Sequence, residues 1–276
     1  MAELLIAVSF AIFIWWFSTG AILYLDNLAK ATFRWSLILF GGITAAALIC
    51  LAKLGDQLTV SGAYAGFVCA ICVWGWVELS FLTGVITGPN KTPWHPPVGG
   101  QSELKFQRLK MALNALLYHE LLIAFFGLLI FFLTYGKQNQ VAMATYLVLW
   151  IMRSSSKINL FLGVRNWSAE FLPDHLLYMK SFFKRRAMNW LFPISVAISL
   201  ICLYQLSLEA FAPQTTLEQK TGLILVGALL ALGLVEHLLM VVPFTANAIW
   251  KWALPQNAMP PSKNISSITK ITKEVR

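Results

Sequence analysis

The stretch Leu4–Leu25, LLIAVSFAIFIWWFSTGAILYL, runs for twenty-two residues without a charge and stops at Asp26. About twenty apolar residues is the length an α-helix needs to cross a hydrocarbon core of roughly 30 Å. A helix that is apolar all round has no face to turn toward water, so this one belongs in a bilayer or a large core. No basic residue precedes it, and Ser18-Thr19-Gly20 lacks a small-residue cleavage pattern, so it reads as a retained span and not a signal peptide.

Six further apolar runs follow, at about 35–52, 60–87, 111–134, 141–163, 187–207 and 221–250. The fifth is the least apolar, because Arg153 and Lys157 interrupt it. Across 276 residues 58% are hydrophobic and only 12% charged, about half the charge of an ordinary soluble domain. No short alternating segments suggest a barrel. The expected fold is all-α, a polytopic membrane protein with one bundle of seven transmembrane helices over residues 1–252. Trp15, Trp16, Trp35, Trp94, Trp190, Trp250 and Trp252 fall near the ends of many runs, where amphipathic rings favour the headgroup layer.

The net charge of +9 raises the question of nucleic acid, and its distribution answers it. The first, third and fifth loops and the tail hold sixteen Lys and Arg residues, among them Lys30, Arg34, Lys91, Arg165, Lys180 and Lys251. The amino terminus and the second, fourth and sixth loops hold three: Lys53, Lys137 and Lys220. Cationic loops stay on the cytoplasmic side, so the amino terminus is expected outside and the carboxy terminus in the cytoplasm, with an odd number of spans. The positive charge therefore marks membrane orientation, and nucleic acid is not an expected partner. Residues 253–276, rich in Pro, Ser, Thr, Asn and Lys, read as a mobile cytoplasmic tail. Residues of about 170–186 alternate apolar and basic positions and read as an interfacial helix on the cytoplasmic leaflet, with His175 in a capping or surface role.

Inside the spans sit ionisable groups that lipid does not tolerate unpaired: Glu78, His119, Glu120, Arg153, Lys157, Glu236 and His237. At ~1.5 Å per residue they fall in one layer, at or inward of the membrane centre. Two accounts are open. The acids pair with Arg153 and Lys157 to hold the bundle, or they converge with the imidazoles on a metal, a porphyrin magnesium or a proton path. His119, His237, Glu78, Glu120 and Glu236 are the candidate metal ligands. Their spacing argues against a two-metal site, because adjacent residues point ~100° apart on a helix and only one of each His–Glu pair can face a common centre. Cys50, Cys69, Cys72 and Cys202 all lie in apolar runs and read as buried small hydrophobes, despite the CxxC of Cys69 and Cys72. His95 lies in a proline-rich loop and carries no motif, and no phosphate loop or dinucleotide fingerprint occurs.

Three stretches carry a family likeness: Ser18-Thr19-Gly20 to Leu25-Asp26; Lys157-Ile-Asn159 through Gly163-Val-Arg-Asn166 to Glu170 and Pro173-Asp174-His175; and Glu236-His237 to Pro243 and Trp250. With seven spans and this length, the chain resembles the PuhE-type photosynthetic complex assembly proteins of purple phototrophic bacteria. The resemblance implies a multi-pass protein of the bacterial inner membrane, cytoplasmic or intracytoplasmic. It further implies a role in assembling the reaction centre and core antenna, with photosynthetic subunits or pigment-synthesis proteins as partners and bacteriochlorophyll supply as one route. It brings no catalytic residues, so whether the chain is an enzyme stays open. Were a pigment held, His119 and His237 would be the imidazoles for its magnesium, with Trp74, Trp76 and Trp150 lining the groove. The competing expectations are an intramembrane metal-dependent oxidase or pigment-modifying enzyme built on the Glu/His cluster, and a transporter or proton relay on the same residues.

Overall fold

Seven α-helices account for most of the chain in the computed structural model, which describes residues 2–96, 101–167, 172–242, 250, 252 and 253. They are α1 (Ala2–Asp26), α2 (Phe33–Leu54), α3 (Val60–Leu82), α4 (Gln101–Thr134), α5 (Val141–Leu162), α6 (Leu191–Ala210) and α7 (Leu217–Leu239). Short 3-10 turns cover Lys30–Thr32 and Asp174–Phe182. Among the described residues the sole β-pairing is one isolated parallel bridge between Val164 and Arg185. The protein is all-helical, and six of its helices are long and apolar enough to span a membrane. The exception is α5, whose apolar first half gives way to Arg153, three serines and Lys157.

The helices differ in what they bury, and that ordering builds the bundle. α3 lies at the centre, with 72% of its most apolar stretch buried against α1, α2, α4, α5 and α7. Small residues allow it: a Cβ on Gly66 would meet the Ala142 backbone nitrogen at 3.4 Å, so α5 approaches α3 closely there. α6 is peripheral, 11% buried, and packs chiefly on α7. Its Ile194, Ile198, Ile201 and Tyr204, like Trp35, Ile38, Leu39 and Ile49 of α2, stand exposed. Continuous apolar faces of this extent are costly in water and suit hydrocarbon.

Helix ends are fixed by named caps. Thr59 accepts the Gly62 N–H at the start of α3, and Thr216 with Gln219 forms a full capping box on α7. At one end of the bundle Lys137 pairs with Asp56, and Asn139 donates to the Gly62 carbonyl, joining the α2–α3 and α4–α5 turns. At the other end Ser181 accepts the Trp94 N–H and His175 Nε2 donates to Leu82 O at 2.8 Å. The loops expected on one side of the membrane thus gather at one end.

Several boundaries differ from the apolar runs. α3 stops at Leu82 and not near residue 87, because Gly84 turns the chain at φ +76° and His175 satisfies the freed carbonyl. α4 begins ten residues earlier, at Gln101, as a polar extension that hydropathy cannot see. α7 ends at Leu239, where Asn166 takes its last carbonyls. The stretch read as an interfacial helix is 3-10 over Asp174–Phe182. It also buries Leu176, Met179 and Phe182 against α3 and α4, so its apolar face meets protein. Glu170 and residues 254–276, nearly all of the expected tail, lie outside the described residues.

Candidate functional site

α1, α3, α5 and α7, with α4 and the Asp174–Phe182 turn, line a partly open cavity of about 420 Å³. Ile22, Leu23, Ile71, Trp74, Phe81 and Leu229 supply apolar walls, and Trp15, Trp167 and Trp250 supply indole faces. Glu78, Arg153, Lys157 and Glu236 also reach its surface, with Ser18 and Thr19 nearby. An apolar chamber with a few convergent polar groups is the usual form of a small-molecule site.

The polar groups divide into separate partnerships. Arg153 donates to Glu78 at 3.0 Å, and Lys157 donates to Glu120 at 2.7 Å. Glu78 is 8% exposed and the Arg153 side chain 42%, so the acid is interior while the guanidinium faces the cavity. Glu236 accepts the indole N–H of Trp15 at 3.0 Å and lies close enough to Arg153 for the two charges to attract. His119 is fully buried, stacked on Phe81 with ring centroids 4.4 Å apart, and its Nε2 stands 3.9 Å from Glu78. Among the described residues neither ring nitrogen of His119 has a hydrogen-bond partner. His237 is the opposite: Nδ1–H donates to Gly233 O at 2.9 Å, and Nε2 accepts the Ser155 hydroxyl at 2.9 Å. Among the described residues no three His, Cys, Asp or Glu side chains come together as a metal ion would need.

Comparison with known proteins fits this geometry to a family. Residues 1–261 match the family described as "Protein of unknown function (DUF3623)". This chain is a DUF3623 protein. It is also 36% identical over 253 residues, 88% of either chain, to a Rhodobacter capsulatus protein described as "Uncharacterized 30.4 kDa protein in puhA 5'region". No solved structure matches it.

The three stretches singled out in the sequence converge on the cavity of this DUF3623 protein. The first contributes Ser18 and Thr19, the second Lys157 and Asn166, and the third Glu236 and Trp250. Much of the second stretch is scaffold. Asn159 is fully buried and donates to Ser155 O and Ser195 Oγ; Asn189 donates back to Asn159 Oδ1 and Gly163 O, and caps α6 through the Leu191 and Phe192 N–H groups. Asn166 bonds the carbonyls of Leu239 and Val242, and its own N–H bonds Met240 O. Gly163 adopts φ +120°, where a side chain would strain the backbone and meet Arg186 at 3.0 Å.

Trp15 was legible only as a boundary marker. It sits mid-way along α1, facing the cavity, because Trp250 packs on it with ring centroids 5.4 Å apart. Trp74 lines the cavity, whereas Trp76 donates to Leu37 O and packs on Phe126, and Trp150 packs on the core cluster that Trp74 shares without lining the cavity. Asn159 and Arg108 carry no motif. Asn159 was a polar residue inside an apolar run, Arg108 one of the cations of the third loop, and each makes a structural bond. Arg108 donates to Phe161 O at 2.7 Å while its guanidinium stacks over the Phe161 ring at 4.0 Å.

Proposed function

We propose that this protein is a seven-span factor of the bacterial inner membrane that serves assembly of the photosynthetic reaction centre and core antenna, as the PuhE-type resemblance implies. The observation that carries the reading is the Rhodobacter capsulatus relative, named for its position in the puhA 5' region. The amino terminus is read as outside and the carboxy terminus as cytoplasmic, on sixteen cationic residues against three. α5 completes the seventh span because its two cations are matched by Glu78 and Glu120 on α3 and α4.

Bacteriochlorophyll is the pigment such a role would involve, and the donor set does not fit ligation of its magnesium by imidazole. His237 has its Nε2 lone pair committed to Ser155, and neither His119 nor His237 reaches the cavity surface. The assembly reading therefore rests on no ring-metal ligand. The separate partnerships of the five acids and imidazoles likewise give the oxidase reading no three-ligand group among the described residues.

Deletion of the gene in a phototrophic host tests the reading. Assembled reaction centre and core antenna, followed by near-infrared absorbance of isolated membranes, should fall and return when the gene is supplied in trans. Unchanged complex levels in the deletion strain would end it. Reporter fusions after Asp26, Asp56 and Pro89 test the orientation, and an active cytoplasmic reporter after Asp56 would reverse it.

A further inference from the structure

The cavity's polar wall specifies the head of its occupant. Arg153 uses one nitrogen on Glu78 and keeps further N–H donors on a side chain that is 42% exposed. Glu236 uses one oxygen on Trp15 and keeps the other. An anionic head placed at Arg153 would be repelled by Glu78 and Glu236, while an ammonium head placed at Glu236 has no lone pair to accept from the free Arg153 N–H groups. Arg153 and Lys157 are already matched by Glu78 and Glu120, so the wall holds no surplus positive charge for a carboxylate or phosphate. A neutral head that donates to Glu236 and accepts from Arg153 meets neither penalty. The rest of the chamber, from Ile22 and Ile71 past Trp74 to Leu229, suits hydrocarbon.

We propose that the cavity binds a neutral, long-chain amphiphile whose hydroxyl or carbonyl head lies between Arg153 and Glu236, and that it excludes anionic lipids. The inference stands on the cavity and not on the assembly role, so either can fail alone.

Tryptophan quenching tests it, since Trp15, Trp74, Trp167 and Trp250 line the chamber. Protein in detergent is titrated with a dibrominated stearyl alcohol, with dibromostearate, and with the matching brominated amine. The alcohol should quench saturably and bind about tenfold or more tighter than the carboxylate, the usual effect of an unmatched buried charge, and tighter than the amine, which offers Arg153 no acceptor. A Cβ at Gly75 meets nothing closer than Ile22 Cδ1 at 3.8 Å, so Gly75→Leu extends into the chamber and should abolish the saturable part. Glu236→Leu should weaken the alcohol about tenfold by removing the acceptor. The two variants are independent, so if one fails to fold the other decides. Equal or tighter binding of the carboxylate or the amine, quenching that never saturates, or full binding in the folded variants would overturn the proposal.

Discussion

The pairs His119–Glu120 and Glu236–His237 contain the same two side chains in opposite order, and the fold uses them in opposite ways. In the first pair the acid is structural, held by Lys157, and the imidazole is buried with no hydrogen bond. In the second the imidazole is structural, saturated by Gly233 and Ser155, and the acid faces the cavity with one indole bond. A buried ionisable residue in a span is thus not one kind of thing. What distinguishes the cases is the number of partners each group has and whether it reaches open space.

The contrast can be broken by substitution, and the largest effect is expected at the cluster both pairs flank. Arg153→Ala leaves Glu78 interior and unpaired, and should cost about 3–5 kcal/mol in detergent-solubilised stability, with Arg153→Lys much milder. A melt within about 1 kcal/mol of the parent would show that Glu78 has other means of support. His237→Phe removes two hydrogen bonds and leaves Gly233 O and the Ser155 hydroxyl without their partner, so about 1–3 kcal/mol should be lost by the same measurement. Glu236→Gln retains an acceptor for Trp15 in an accessible position and should change stability by less than about 1 kcal/mol. If instead it melts like the His237 variant, the two members of that pair are not separable. The smallest effect is expected at His119. Because neither nitrogen is bonded, His119→Phe keeps the stack on Phe81 and should be within about 1 kcal/mol of the parent or more stable. Marked destabilisation there would mean that its approach to Glu78 matters.

The helices were legible because lipid imposes one simple requirement on each of them: about twenty apolar residues in a row. Even α5, broken by Arg153 and Lys157, kept its place in the alternation of cationic loops. The ionisable layer was legible for the same reason, since charges stand out against hydrocarbon. Partners were not. Which acid meets Arg153 depends on helix rotation and tilt, and these are set by packing of small residues such as Gly66 against Ala142, which no single-chain pattern encodes. Helix ends fixed by distant side chains were hidden too. His175 stops α3 from ninety-three residues away, and Asn166 stops α7 from seventy-three. The cavity was the least legible feature, because its walls come from five helices, the Asp174–Phe182 turn and residues as distant in sequence as Trp15 and Trp250, which mark a returning segment.

That returning segment has a consequence for how the protein is made. Trp250 donates to Trp16 O and packs edge-on against Trp15, while Trp252 lies so close over Gly20 that a Cβ there would meet its ring at 2.0 Å. The patch of the first helix around Trp16 and Gly20 therefore acquires this covering only after the chain has been synthesised as far as Trp252. Until then the cavity lacks the Trp250 part of its lining. A chain halted before Trp250 would contain every helix described above, yet its cavity would lack that indole face.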